Sequence, residues 1–494
     1  MGVVSYYGGQ NDAKGSLKPV SKIITVHELS VFPDVIHGSK INQIWDAIFK
    51  LHAYKALMLF SEALDTKRKA LRVNLDAQIY GSFAEIGAGQ EVARNFFTAG
   101  AASGTIAKTM SAYDMAFSNA IYGQEENGRY VSRSRLLKML EHEFDLLLER
   151  LVNEKYSNFT FFAFADTVTT LNYNRSNDPN GWVGIRFQLY PGHASNHILF
   201  HVRLLDSDSN LQQQVLGILG VNLIYAAFFY RDDYRQMIES FADNISPGSV
   251  EIDLIHVEGA DFLGIDNRLL NLYLITKGYS SASIFTADGM VHHPKDYLYK
   301  KNLLILRTRL NQKHAYRPEI KEAALRQFAL EQKSAVDSGP ATHIFLTELA
   351  LERSITAENS SDEFSIMLSR IEELSQDNQI VMVSNFARHH NLARYIARFK
   401  PGKVRLVISS RSLGHIFNSA HYGENYTTEL LAYVSNLFSQ EVQLYVYPEV
   451  NKLTGNLLTL GQLEISTEAA SLFAFLMQNN YLREISLSVT EQST

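Results

Sequence analysis

The rhythm of hydrophobic and polar positions changes three times along this chain. Between residues 27 and 64, Ile41, Ile44, Trp45, Ile48 and Phe49 recur at spacings of three and four, and Leu57, Met58, Phe60 and Leu64 extend the series. That period predicts helix, here a helical cap or oligomerisation arm, because so short a unit needs something else to cover its apolar face. The Gly-rich start before it (Gly2, Gly8, Gly9, Gly15) reads as a flexible leader. From residue 71 to about 299 strands dominate, with helices interposed. Residues 72–80 alternate polar and apolar as a half-buried strand does, and 159–164, 183–189, 197–205, 250–257 and 269–275 read as strands. Residues 259–267 read as a turn-rich connection. Leu136, Leu137, Leu140, Phe144, Leu147, Leu148 and Leu151 give residues 133–152 the pattern of a strong amphipathic helix.

In the last third, short apolar runs at 303–306, 380–383, 404–408 and 442–446 alternate with helical segments, and residues 332–339 read as a loop. Strand–helix repetition of this kind predicts a parallel, doubly wound sheet. The expected fold class is therefore α/β: an α+β N-terminal and middle part, then a Rossmann-like C-terminal sheet. The expected units are 1–64, 65–300 and 301–494, with the last boundary near Lys300-Lys301-Asn302.

A length of 494 residues exceeds what one core usually serves, so two or three domains agree with that division. Hydrophobic residues at 46% and charged residues at 20% exclude wholesale disorder. The net charge of −6 argues against a nucleic-acid partner, which usually demands a basic stripe. Local basic runs, Lys67-Arg68-Lys69 and residues 129–135, read as solvated helix faces. The absence of cysteine rules out disulfides, thiolate nucleophiles and iron–sulfur clusters. Residues 1–19 lack the basic start and apolar run of a secretory signal. The longest apolar stretch, 215–230, contains Asn222 and is shorter than the roughly 20 residues of a membrane span. A cytoplasmic chain without a membrane partner is expected.

Candidate chemistry concentrates in YGSFAEIGAGQE (80–91) and AGAASGT (99–105). A Gly-rich turn between strand and helix frees backbone N–H groups to cradle an anion. The phosphate- or nucleotide-binding candidates there are Gly81, Ser82, Gly87, Gly89, Gln90, Arg94, Ser103, Gly104 and Thr105. Neither a Walker A loop nor G-x-G-x-x-G is present, and tight glycine packing is the competing reading. Glu85 and Glu91 are candidate acid and base beside the turn. His193, His197, His201 and Arg203 form a second group. Strand alternation sets His197, His201 and Arg203 on one face, which is read as a hydrogen-bonded surface beside a polar cleft rather than a metal site, with His201 a candidate catalytic group. In the last third, Ser384-Asn385 and Ser410-Arg411 each follow an apolar strand. Two adjacent strand ends of this kind would suit a phosphate, with N-capping by Asn385 and Ser410 the alternative.

The segments QIYGSFAEIGAGQEVARNFFTAGAASGTIAKTMSAYDMAFSNAIYG (78–123) and RYVSRSRLLKMLEHEFDLLLERL (129–151) resemble a widespread, uncharacterised bacterial family. FFAFADTV, GWVGIRFQ, LGILGVNLIYAAF, DNRLLNL and QLYVYP continue the resemblance, which covers most of the chain after about Gln43. Members are often labelled nicotinate- or nicotinamide-nucleotide adenylyltransferase. Others carry the label TonB-dependent receptor, which would imply regular barrel strands that this sequence does not show. The first label implies adenylyl transfer with ATP or an NAD-type nucleotide and Mg. Gly81-Ser82-Phe83 matches the start of that activity's Gly-Ser-Phe…His-x-Gly-His motif, although no histidine follows in place. Residues 307–314 resemble a second site with His314 as its final histidine, and Val407-Ile408-Ser409-Ser410-Arg411 is similar to Ile-Ser-Ser-Thr-x-x-Arg. The expectation is a phosphate- or nucleotide-handling, nucleotidyltransferase-like homo-oligomer. The alternative is a non-catalytic, self-associating scaffold.

Overall fold

The apolar runs of the middle and last thirds become two sheets in the computed structural model, which describes residues 5–11, 17–23, 64–126, 128–151, 156–310, 318–334, 342–351, 361–376, 379–439, 441–450 and 456–485. The chain divides into two compact units, Met1–Ala63 and Leu64–Thr494. In the first, β1 (Ser5–Asn11) pairs antiparallel with β2 (Leu17–Ile23), so the expected leader carries a hairpin. The helix expected over 41–64 lies outside the described residues up to its last position.

The second unit opens with α1 (Thr66–Asn74), N-capped by Asp65, whose Oδ1 accepts from the Arg68 amide. This corrects the strand expected over 72–80, of which only the end is extended. Ala70 and Val73, three apart and fully buried, set a helical period that the overlapping alternation masks. The basic run here is also not a solvated face. Lys69 is fully buried, and its Nζ donates to Asn222 Oδ1 at 2.8 Å and to Asp243 Oδ2 at 2.6 Å. In the second basic run Arg135 is likewise buried, against Asn119 and Gly123.

There follow β3 (Ile79–Gly87), α2 (Gln90–Ala99), β4 (Ile106–Ser111), α3 (Met115–Tyr122), α4 (Arg133–Arg150), β5 (Thr160–Val168), β6 (Asn180–Phe187), β7 (Asn196–Leu204), α5 (Ser209–Phe229), α6 (Tyr234–Phe241), β8 (Val250–Gly259) and α7 (Asn267–Thr276). The six strands lie in the order β4-β3-β5-β6-β7-β8. The first three are parallel and the others antiparallel. Leu136, Met139, Leu140 and Phe144 of α4 pack on Ala84, Ala163 and Leu199. On the other face, Val92 and Phe96 of α2 and Leu216 and Leu219 of α5 join Phe83, Phe162, Phe164 and Phe200. Among the described residues α5 alone is long and apolar enough to cross a membrane, and 72% of its apolar window is buried in this core.

The stretch 269–275, expected as a strand, is the body of α7. Asp266 caps its start through the Arg268 amide, and Asn271 bonds both the N–H and the C=O of Ile255 on β8. A short, wholly apolar run has no period to separate strand from helix, and the cap decides.

The remaining elements are β9 (Ala282–Phe285), β10 (Val291–His292), α8 (Pro294–Leu298), β11 (Asn302–Arg309), α9 (Pro318–Ser334), β12 (His343–Ala350), α10 (Ser361–Ser375), β13 (Ile380–Ser384), α11 (His389–Ala397), β14 (Val404–Ser409), α12 (Ser410–Ile416), α13 (Tyr426–Leu437), β15 (Val442–Tyr447), β16 (Glu449–Val450), β17 (Leu457–Leu458), α14 (Thr467–Gln478) and β18 (Leu482–Glu484). The eight-stranded sheet runs β10-β9-β13-β12-β11-β14-β15-β18, parallel from β13 to β18. Counted from β11, that is the 3-2-1-4-5-6 order of doubly wound dinucleotide-binding folds. The α/β class and the Rossmann-like sheet follow. β9 and β10 add two antiparallel strands outside β13, drawn from residues before 301. The same order corrects one expectation: β13 and β14 are separated by β12 and β11, so Ser384-Asn385 and Ser410-Arg411 do not end adjacent strands. The reversal of winding direction sends consecutive strands to opposite sides of the sheet.

Candidate functional site

Where the two sheets meet, β7 and β8 present a row of charged side chains. Arg203 pairs in register with Glu251, while His201 opposes Leu254 and Val202 opposes Ile252. Asp253 is therefore the extra residue of a β-bulge. Bulges re-aim side chains, and here the carboxylate turns onto His201, with Asp253 Oδ1 at 2.6 Å from His201 Nδ1. The other oxygen, Oδ2, lies 3.1 Å from Nε2 of His293.

His293 arrives from the other sheet. It follows β10 and caps α8, its Nδ1 accepting from the Lys295 amide at 3.3 Å, with Pro294 at the first helical position. His201, Asp253 and His293 are 5%, 1% and 5% exposed. One ligand atom from each lies within 4.8 Å of the other two, a donor set able to hold a metal ion.

Burial works to raise the Asp253 pKa, but the two imidazoles and their hydrogen bonds outweigh it and hold the carboxyl far below its ordinary range. At His201 Nε2 the neighbour is Asn180 Oδ1, 3.2 Å away. The Asn180 amide is oriented by its own Nδ2, which donates to the Asp178 carbonyl.

His201 and His293 sit in the wall of a cavity of about 450 Å3 that is also lined by Arg129, Arg203, Lys295, Tyr299, Arg398 and Lys400. Glu251 partly neutralises this group. It accepts from Arg203 at 3.0 Å, from Arg398 at 3.3 Å and from the Ser281 amide at 3.0 Å, while Asp178 takes the other Arg203 nitrogen. Lys295 and Lys400 have no ion-pair partner among the described residues. Burial, reinforced by Glu251 and Asp253, pushes the enclosed Tyr395 phenol well above its usual range, so it stays protonated. A neighbouring cavity of about 690 Å3 shares Arg398 and is lined by Lys277, Asn385, Asn391 and Arg394.

The residues singled out from sequence fall in several places. Of the histidine group, His201 and Arg203 reach the cleft, His197 faces Glu258 at 3.7 Å, and the His193 ring lies tilted against Tyr190 at 5.3 Å. The Gly-rich turn is closed on itself. Gly81 lies against Phe162, Ser82 and Thr105 are buried, and Gln90 Nε2 donates to the Gly87 carbonyl. Glu91 and Arg94 pair with one another on an exposed face, and Ser103 and Gly104 lie in an exposed turn.

Glu85 is buried beside Asp166, and Ser111 donates to its Oε2 at 2.7 Å. Burial raises the pKa of both, with Ser111 opposing at Glu85 and Glu85 adding to the effect at Asp166.

Ser384 donates to Glu348 at 2.5 Å, and Asn385 donates to the Ser280 carbonyl. The Ser410 hydroxyl accepts from the Glu449 amide, and Arg411 pairs with Glu449. The N-cap of α12 is Ser409, and Arg388 holds that position before α11, so Asn385 and Ser410 are not caps. His314 lies outside the described residues.

Asp253 and His293 were missed. A single aspartate inside the apolar run Ile-Asp-Leu-Ile was a usable signal, as was a histidine just before the proline of a helix start.

No family model matches the chain, and no curated protein matches it. Among solved structures, a third of the chain (33%) is similar to three proteins. A competence/damage-inducible protein from Agrobacterium tumefaciens has 18% identity over 95% of its length, at a TM-score of 0.24. A competence or damage-inducible protein from Enterobacter asburiae has 11% identity over 96% of its length, at 0.24. A competence-damaged protein superfamily member from Enterobacter cloacae has 13% identity over 88% of its length, at 0.22. At these scores the likenesses assign no function.

Proposed function

We propose that this chain binds a phosphate-bearing small molecule of the nucleotide class in the cleft between its two sheets, with adenylyl transfer as the most concrete activity. The observation that carries this reading is the convergence of Arg129, Arg203, Lys295, Arg398 and Lys400 on one cavity in a chain of net charge −6. Cationic groups held in a partly desolvated cleft attract phosphate and stabilise charge that develops on its oxygens during transfer. Lys295 and Lys400 supply unneutralised charge, and Arg203 and Arg398, fixed by Glu251, supply directional donors.

Calorimetric titration with ATP, NAD and tripolyphosphate tests the reading. Saturable binding is expected, lost on Lys295→Glu with Lys400→Glu. Heat-silent titrations of all three at millimolar concentration would overturn it.

A further inference from the structure

The cleft wall carries more than charge. We propose that His201, Asp253 and His293 bind one divalent transition-metal ion, a site that stands whether or not the cleft takes a phosphate ligand.

The argument begins at Asn180. Its Nδ2 donates to the Asp178 carbonyl at 2.7 Å, which directs Oδ1 at His201 Nε2. An amide oxygen accepts only, so Nε2 carries the proton and Nδ1 is left as a lone pair. That lone pair faces Asp253 Oδ1 at 2.6 Å. A proton joins the two atoms at this separation; a metal ion about 2.0–2.2 Å from each would take that proton's place and part them to roughly 3 Å.

Outer groups that accept the N–H of the far nitrogen are the usual means of turning an imidazole's near nitrogen toward a metal. The third donor, His293 Nε2, lies 3.1 Å from Asp253 Oδ2, and the two imidazole centroids are 4.2 Å apart. Two imidazoles and one carboxylate suit zinc, iron and their neighbours better than magnesium or calcium, which prefer oxygen. Such a set leaves coordination positions open, and both histidines line the cleft.

One contact opposes the ion: the Lys295 amide points at His293 Nδ1 from 3.3 Å, and metal binding at Nε2 gives up that weak helix cap. The arginine charge nearby is offset by Asp178 and Glu251.

The test uses the full chain stripped with a chelator and titrated with Zn2+ and with Co2+, following the visible absorption of bound cobalt. One equivalent per chain is expected. Asp253→Asn and His293→Gln should each weaken binding more than about 100-fold, beyond the usual cost of an outer-shell change, and Asn180→Ala about tenfold. Thermal melts of each variant show that the fold persists, and should one fail to fold, Asn180→Ala carries the test. The exposed pair His415 and His421, 2.9 Å apart, is the competing chelate. Loss of binding in His415→Ala rather than in the cleft variants overturns the proposal, as does the absence of stoichiometric binding. The titration contains no phosphate ligand, so its outcome is separate from that of the phosphate reading.

Discussion

Gly89 lies against Asp166 so closely that a β-carbon on the glycine would come within 1.9 Å of the carboxylate Oδ2. Its φ of 144° is also one that residues with side chains rarely adopt. Gly89→Ala should therefore cost about 3 kcal/mol or more, from steric overlap and backbone strain together. Chemical denaturation measures this. A variant as stable as the parent would mean the turn can move off the carboxylate.

Asp166 is buried, neither of its oxygens has a hydrogen-bond partner among the described residues, and Glu85 is its in-register neighbour. Both native pKa values are raised, chiefly by burial. Below the ordinary carboxyl range, near 4, folded and unfolded chains hold these protons alike and stability is full. As pH rises through that range toward the raised native values, the unfolded chain releases protons that the folded chain keeps, and stability falls. Asp166→Asn should flatten this decline and raise the melting temperature at pH 8 more than at pH 5. Parallel melting curves across pH for parent and variant would contradict it.

Lys69 ties α1 to the α5–α6 region through Asn222 and Asp243. Removing one partner strands the other. Asp243→Ala should destabilise by about 2 kcal/mol, less than the ~3–5 of a fully buried pair because the Asp243 side chain is 20% exposed. Lys69→Met combined with Asp243→Leu should recover most of the loss, since an apolar pair replaces a costly ionic one. A double-mutant cycle in urea reads the coupling.

In the cleft, reversing one charge at Lys295 or Lys400 should lower nucleotide affinity at least about tenfold, ~1.4 kcal/mol. The effect should shrink at high salt, because both side chains face solvent. Unchanged dissociation constants at low salt would remove these lysines from the ligand's path.

The elements with a strong period were legible in the sequence. The apolar face of α4 and the strand–helix repetition of the last third each specify one answer. α1 and α7 were not, because a cap outside the periodic stretch decided them. The strand order was not legible either, so strand ends consecutive in sequence, at Ser384 and Ser410, proved to lie on opposite sides of the sheet. The same limit hid most of the cleft. His201 was visible as a polar residue on an apolar strand, but Asp253 reaches it through a bulge, which leaves no compositional trace, and His293 comes from the neighbouring sheet. Gly87 and Gly89, read from sequence as anion-cradling candidates with tight packing as the competing reading, lie against the Val168 carbonyl and the Asp166 carboxyl respectively.

The β9–β10 hairpin gives the doubly wound sheet two outer strands and then delivers His293 to Asp253. Without it β13 would be a bare edge, a template for pairing with another chain. Guarding that edge and completing the cleft are thus one task for one short segment. Damage to the hairpin should surface first as clumping during expression and only then as a missing ligand. A search for loss-of-function variants would therefore find insoluble protein here where it sought inactive protein.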